Sequence, residues 1–235
     1  MPQTSHIITK KALHGLLVAI LVWFMLPPIT QHAQWTPKSS QEEVTNRSKK
    51  LTGGRVVHSS PTFADIDQDG QQEILIGTTG QSGSGYERPT MLSAHRSTDL
   101  SLVWEVDVGA PINSAICVAN IDGTGDLEVV VAIGGDANDL NHHGGVSVYN
   151  ARTGTWLWTF NSRDDLPHGT GDGYDDGVFA SPAVDDIDGD GDMEIAFGSW
   201  DRWIYLLDHQ GNVIWEYFNA DTIWSSAAMA DLNKD

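Results

Sequence analysis

The stretch from Ser181 to Gly198 constrains the fold of this chain more than any other. It carries five loop residues in a fixed order, Asp186, Asp188, Asp190, Gly191 and Glu194. Oxygen donors at alternate positions, with a glycine where the chain turns sharply, are typical of a calcium-binding loop. Short apolar segments on both sides predict two strands that this loop joins.

The same pattern recurs along the chain, with loops that start at residues 65, 120, 186 and 231. The repeating unit is therefore about 45 residues long and carries insertions. Each complete unit holds four short strand-like segments, and the last of them contains a tryptophan at 104, 158 or 215. This pattern predicts an all-β fold, a β-propeller of four-stranded blades that is incomplete, with three full blades and the start of a fourth.

The N-terminal segment has the pattern of an export signal. Lys10 and Lys11 precede an apolar run, Leu16–Leu26, as in a signal peptide. Extended to residues 12–29, the run is long enough to remain as an uncleaved membrane anchor. Either alternative predicts an extracytoplasmic protein, secreted or on the cell surface.

These signals predict a signal peptide or signal anchor and a linker before the blades. The predicted boundaries are 1–33 for the export segment, 34–53 for the linker, 54–109 for blade 1, 110–177 for blade 2 with an insertion, 178–220 for blade 3 and 221–235 for the start of blade 4.

The charge of the chain narrows the choice of partners. The formal net charge is −19, from 13 Lys and Arg against 32 Asp and Glu. Such an excess of acid disfavours nucleic acid and anionic membrane surfaces as partners. We therefore expect no nucleic acid ligand, and contact with a membrane only through an uncleaved N-terminal anchor.

Three loops supply candidate calcium ligands at positions one, three, five and nine, with a backbone carbonyl from position seven. The predicted ligands are Asp65, Asp67, Asp69, Gln71 and Glu73; Asn120, Asp122, Thr124, Asp126 and Glu128; and Asp186, Asp188, Asp190, Asp192 and Glu194. The first and third loops offer four carboxylates each. The second replaces two of them with an amide and a hydroxyl, so it should bind calcium more weakly.

The sequence allows two other interpretations of these loops. An EF-hand requires a bidentate glutamate at position twelve and flanking helices, whereas position twelve is Ile76, Val131 or Phe197 and the flanks are strand-like. The second alternative is a set of Asp/Gly turns without a metal. Three repeats of the full pattern favour calcium over simple turns.

The Asp-x-Asp-x-Asp-Gly-x-x-Glu loops between apolar strands resemble the FG-GAP/VCBS repeats of the integrin-α-like β-propeller superfamily. The resemblance covers residues 54–235, and Asn120 and Thr124 depart from its usual acids. It implies that each loop joins the first two strands of a blade. It also implies that calcium, held by loop positions one, three, five, seven and nine, has a structural role.

Insertions between blade strands indicate where a ligand would bind. They comprise Thr78–Thr90, Gly135–Gly144 and Ser162–Gly177, all expected on the face opposite the calcium loops. We expect a protein or carbohydrate ligand there, although a set of polar loops without a ligand remains an alternative.

The function that this pattern predicts is a calcium-binding module for binding or adhesion, not an enzyme. The alternative is the propeller part, catalytic or not, of a secreted polysaccharide-acting enzyme or of a quinoprotein-like dehydrogenase. No nucleophile and base pair is recognisable in the sequence.

Overall fold

The computed structural model describes residues 48–82, 85–86, 89–134, 144–164, 176–230 and 232. The chain divides into two compact units, Met1–Asn46 and Arg47–Asp235, and the described residues all belong to the second. The predicted export segment, most of the linker and much of two insertions therefore lie outside the described residues. The described part contains no helix long and apolar enough to cross a membrane.

The first blade contains a four-stranded sheet and a small inserted hairpin, which forms a separate two-stranded sheet. In chain order the strands are β1 (Thr62–Ala64), β2 (Glu73–Gly77), β3 (Gln81–Ser82), β4 (Gly85–Tyr86), β5 (Met91–Arg96) and β6 (Leu102–Asp107). The sheet order is β1-β2-β5-β6, and all pairs are antiparallel. The hairpin β3–β4 lies inside the predicted insertion Thr78–Thr90.

The second and third sheets repeat this meander. The second contains β7 (Cys117–Ala119), β8 (Glu128–Ile133), β9 (Gly145–Asn150) and β10 (Trp156–Asn161), and the third contains β11 (Ala183–Asp185), β12 (Glu194–Gly198), β13 (Trp203–Leu207) and β14 (Val213–Phe218). In both sheets each strand pairs with the next one in sequence. The prediction of an all-β fold with four-stranded blades is confirmed.

The core lies between neighbouring blades, and β8 shows why. Its side chains alternate between two apolar clusters, with Val129 and Val131 in the cluster shared with blade 1 and Val130 and Ala132 in the cluster shared with blade 3. Successive strand residues point to opposite faces, so a central blade is buried on both sides. This explains why β8 is an apolar run without polar alternation.

Each of the first two blades inserts the tryptophan of its last strand into the following blade. The indole Nε1 of Trp104 donates to the carbonyl oxygen of Ala151 at 2.8 Å. The ring covers Gly154, where an added Cβ would lie 2.8 Å from the indole. Gly154 also has a φ of 70°, so the turn requires glycine for two reasons. The same contact recurs one blade further along, between Trp158, His209 and Gly211.

Blades 1 and 3 depart from this repeated contact between tryptophan and turn. Leu100 takes the turn position of Gly154, because its amide donates to the carbonyl of Arg96 as Gly154 donates to that of Asn150. Leu100 has a φ of 62°. Trp215 of β14, equivalent to Trp104, is 47% exposed.

Candidate metal centres

Each acidic loop joins the first and second strands of its blade. The strand register pairs the residue before position one with the glutamate at position nine, in the pairs Ala64↔Glu73, Ala119↔Glu128 and Asp185↔Glu194. The loop is thus closed by a β-bridge at its base, and the glutamate is the first residue of the second strand. This placement anchors the glutamate in the sheet while the aspartates lie in the turn.

The closing glutamates are buried and are held by a repeated hydrogen bond. The backbone amide at position two donates to glutamate Oε2 in every loop, from Ile66 to Glu73 at 3.2 Å, Ile121 to Glu128 at 2.9 Å and Ile187 to Glu194 at 2.9 Å. Their exposure is 1%, 3% and 3%. The Oε1 atom of Glu73 is buried and has no hydrogen-bond partner. One carboxylate oxygen is therefore committed to the loop, and the other remains available to a ligand.

The first aspartate organises the turn. Asp65 accepts hydrogen bonds from the amides of Asp69, at 3.0 Å, and Gly70, at 2.8 Å. Asp186 accepts from Gly191 at 3.1 Å in the same way. The glycine has a positive φ in both loops, 89° at Gly70 and 98° at Gly191. The left-handed backbone turns the chain back over the aspartate and directs successive carboxylates towards one point.

Two of the loops each bring three carboxylates together. The groups are Asp65, Asp67 and Glu73, and Asp186, Asp188 and Glu194. Within each group the ligand oxygens lie within 4.8 Å of one another. These are positions one, three and nine of the first and third loops.

The carboxylates at position five do not belong to these groups. The carboxylates at position five, Asp69 and Asp190, accept from the amides of Gln71 and Asp192, at 2.8 and 2.9 Å. Asp192 itself, at position seven, lies with its Oδ2 3.4 Å from His209 Nδ1. The structure thus places position five in a turn-stabilising hydrogen bond, which sequence spacing alone does not reveal.

The second loop has the same backbone arrangement with fewer charges. Asn120 Oδ1 accepts from the Gly125 amide at 3.3 Å, as the aspartates do in the other loops. Thr124 donates its hydroxyl to Asp122 Oδ1 at 2.7 Å. Asp126, at position seven, lies in the turn before Glu128. This loop has two carboxylates at positions one, three, five and nine, where the other two have four.

Burial shifts the acidity of the closing glutamates. The pKa values of Glu73, Glu128 and Glu194 are raised, first because burial penalises the charged form and then because neighbouring aspartates repel it. A cation beside these carboxylates would oppose both effects. A bound cation would therefore stabilise the charged form of the closing glutamate in all three loops.

A cation that the loop spacing does not predict lies beside the first loop. Arg96 pairs with Glu73 in the register of β2 and β5, and its Nη1 lies 3.7 Å from Asp69 Oδ2 and 4.0 Å from Glu73 Oε1. The equivalent partner of Glu128 is Asn150. Arg96 is the last residue of β5, and only the strand register shows that it faces Glu73.

The three loops lie in sequence at the same end of their sheets and contact one another. Gln68 of the first loop donates to the carbonyl of Gly125 in the second, at 2.8 Å. An added Cβ at Gly123 would lie 3.1 Å from Asp192 Oδ1 in the third loop. The acidic loops therefore form one continuous surface.

No family model matches this chain, and no curated protein matches it. Solved structures do resemble it. BBS1N, in a complex with ARL6DN soaked with lead, is 13% identical over 78% of this chain and 50% of its own, with a TM-score of 0.51. The chain therefore spans about half the length of that structure.

Two further structures are less similar. The C-terminal domain of PilY1 from Pseudomonas aeruginosa is 20% identical over 63% of this chain and 29% of its own, with a TM-score of 0.47. Quinohemoprotein alcohol dehydrogenase from Comamonas testosteroni is 13% identical over 68% of this chain and 28% of its own, with a TM-score of 0.47. At these identities the likeness concerns the fold, and the chain is a β-propeller protein.

Proposed function

We propose that this protein is a calcium-binding β-propeller module for binding or adhesion outside the cytoplasm, and that its calcium is structural. The observation that carries the proposal is a buried glutamate facing two aspartates, which occurs twice with oxygens within 4.8 Å of one another. Buried charges are normally paired or bound to a metal. A module of this kind acts by recognition, and we propose no enzymatic activity for it.

The donor set fits calcium. Carboxylate oxygens and loop carbonyls are the ligands of a hard cation, and calcium takes six to eight of them in a flexible geometry. Neither group contains the nitrogen or sulfur ligands that zinc favours. Residues at positions one, three and nine would hold the ion, and water and loop carbonyls would complete its shell. The ion would neutralise carboxylates that now repel one another across each loop.

The family and the compartment belong to the same proposal. The loop pattern supports membership of the FG-GAP/VCBS repeats, and the position of each loop between the first two strands of a blade agrees with that family's arrangement. The apolar run within residues 1–33 supports export. Extracellular calcium modules work at dissociation constants of about 10⁻⁴ to 10⁻³ M, which suits small sites with partly exposed ligands.

Thermal unfolding in calcium and in EGTA tests the proposal. Calcium at a hundredfold over its dissociation constant should stabilise the fold by about 2.7 kcal/mol per site. We expect the melting temperature to fall in EGTA and to recover when calcium is added back. Identical melting curves in calcium and in EGTA would refute a structural role for the ion.

Calorimetric titration of two variants locates the site. Asp188→Asn removes one carboxylate of the third loop and should lower the calcium stoichiometry. Asp185→Asn is the matched control, because it removes the same charge at a neighbouring position that lies outside the carboxylate group. Equal loss of calcium in both variants would show that general charge, and not the loop, binds the ion.

A further inference from the structure

A cavity of about 320 Å³ lies at the opposite end of the first strands from the acidic loops. Its lining comes from segments that precede β1, β7 and β11, together with Trp224, whereas the acidic loops follow those strands. Each first strand has three residues, or about 10 Å at the usual rise. The cavity and the loops are therefore on different faces of the blades.

The cavity lies where a series of serine hydroxyls is interrupted. Position −5 from each loop start is Ser60, Ala115, Ser181 or Ser226. Ser181 Oγ accepts from the amide of Ala115 at 3.0 Å, and Ser226 Oγ accepts from the amide of Ser181 at 3.1 Å. Ala115 has no side-chain oxygen to offer to blade 1, so this chain of serine hydroxyls stops beside Ser60. Ser60, Ala115 and Ser181 all line the cavity.

An aromatic cluster forms one wall. Phe179 stacks on Trp200 with ring centroids 4.3 Å apart and an interplanar angle of 15°. Trp224 packs against Trp200 at 4.6 Å and against Phe179 at 5.6 Å. Trp224 is nevertheless 63% exposed, and its Nε1 donates to Thr222 Oγ1 at 3.2 Å, which orients the ring. A large apolar ring is thus held in place and open to a ligand.

Among the residues that the structure describes, the remaining lining is polar and contains no carboxylate, ammonium or guanidinium group. It offers the imidazole of His58, the amide of Asn113 and the hydroxyls of Ser60 and Ser114. Asn113 is 7% exposed, and its Nδ2 donates to the carbonyl of Gly134 at 3.3 Å, which fixes the amide. A lining of oriented hydrogen-bonding groups beside an aromatic ring selects a ligand with apolar and hydroxylated faces. Its described residues carry no fixed charge, which favours a neutral ligand.

We propose that this cavity binds a neutral saccharide of one or two rings. One face of a pyranose presents C–H bonds that pack on an indole, here Trp224, while its hydroxyls meet the amide of Asn113 and the hydroxyl of Ser60. A ligand hydroxyl would occupy the place that a serine at position 115 would fill. The volume is at the lower end of small-ligand pockets, which matches a small glycan and not a long chain. This inference rests on the proposed function and names the class of ligand.

Titration of the full chain with neutral disaccharides tests the proposal. Cellobiose, maltose, lactose and N,N′-diacetylchitobiose are followed by calorimetry and by tryptophan fluorescence in excess calcium, with digalacturonate as an anionic comparison. We expect saturable binding of at least one neutral sugar. Trp224→Ala should weaken it about tenfold or more, in line with the loss of an aromatic anchor. Trp156→Ala is the matched control, since Trp156 is 57% exposed on β10 and does not line the cavity.

Ala115→Ser provides a test that does not depend on removing a large side chain. The added hydroxyl should extend the serine series to Ser60, leave the melting temperature unchanged or higher, and weaken sugar binding. Absence of saturable binding by all four sugars overturns the proposal, as does binding that Trp224→Ala and Ala115→Ser leave unchanged. Tighter binding of digalacturonate than of every neutral sugar overturns the neutral class.

Calcium titrations and melting curves on the same samples separate the two proposals. Stabilisation by calcium without sugar binding would refute the saccharide site alone. Sugar binding with melting curves that EGTA does not change would refute structural calcium alone.

Discussion

Arg96 and Glu73 lie opposite each other in the register of β2 and β5, with Arg96 Nη1 4.0 Å from Glu73 Oε1. The first loop therefore has a protein cation at the edge of its carboxylates, and Asn150 takes the equivalent position at the second loop. An arginine at this distance repels a bound divalent ion. The first and second loops therefore differ in a neighbouring cation as well as in their number of carboxylates.

Arg96→Gln should tighten calcium binding at the first loop. The side chain is 43% exposed, so solvent screens its charge and we expect a gain of about two- to fivefold. Competition with a chromophoric chelator in an Asp188→Asn background, where the third loop is impaired, measures the first loop most directly. Arg55→Gln, at an exposed arginine, is the control. An unchanged affinity in Arg96→Gln would show that the guanidinium moves away when the ion binds.

Asn120→Asp should strengthen the second loop. The new carboxylate would accept the amide of Gly125 as Asn120 does, and it would add the charge present at position one of the other loops. We expect a rise in calcium affinity of about tenfold, because ligand charge sets the affinity of such loops. Calorimetry should resolve the tighter site. Asn161→Asp, at an exposed position on β10, controls for added negative charge.

Trp104→Phe should destabilise the fold by about 1 to 2 kcal/mol. The substitution removes the hydrogen bond from Nε1 to Ala151, leaves a buried carbonyl without that donor, and reduces the apolar contact with the next blade. Trp215→Phe changes the equivalent residue of β14, which is exposed, and should alter stability by less than about 0.5 kcal/mol. Urea unfolding midpoints compare the two. Equal effects would mean that docking on the next blade contributes nothing.

Gly154→Ala should be more harmful than the same change at another glycine with a positive φ. An alanine at Gly154 would be strained at a φ of 70° and would press on the Trp104 ring. Gly109 has a φ of 80° and no atom within 4 Å of an added Cβ, so Gly109→Ala isolates the backbone strain, about 1 kcal/mol. We expect Gly154→Ala to cost at least about twice as much by urea unfolding. Similar costs would show that the tryptophan ring moves aside freely.

The buried His95 should make the fold sensitive to mild acid. Its ring lies between Lys49 Nζ, 3.2 Å from Nδ1, and Ser93 Oγ, 3.1 Å from Nε2. Burial lowers the pKa of His95 below its usual 6.5, and the charge of Lys49 lowers it further, against a smaller opposing effect of Glu105. The unfolded chain thus binds the proton more readily, and stability present above pH 6.5 is lost as the pH falls through the folded pKa.

His95→Gln should reduce the loss of melting temperature on lowering the pH below 6.5, measured in excess calcium. If His95→Gln and the wild type lose stability in parallel, then the histidine is protonated in the folded state without penalty.

Much of the fold could be predicted from the sequence because its signals are local. The tryptophans at 104, 158 and 215 lie in the fourth strand of their blades, β6, β10 and β14, as the repeat pattern predicts. Apolar runs, glycines and repeat spacing depend on residues close in sequence. Packing between blades changes none of these, so the four-stranded pattern can be predicted from the sequence alone.

The details of the candidate site depend on distant residues and could not be predicted in the same way. Arg96 faces Glu73 across two strands, and Thr124 uses its hydroxyl on Asp122. Asp69 and Asp190 have the spacing of ligands but lie outside the carboxylate groups. Spacing determines which oxygens are available, whereas the folded backbone determines which of them converge.

The docked indoles have a consequence for how such a chain can be divided. The sequence repeat runs from one acidic loop to the next, but the contact that holds Trp104 belongs to the turn of the following blade. A fragment cut at a repeat boundary separates each indole from its receptor turn. The sequence repeat and the unit that each indole holds together are therefore out of phase. An excised single blade should be less stable than a pair that keeps one indole in its turn.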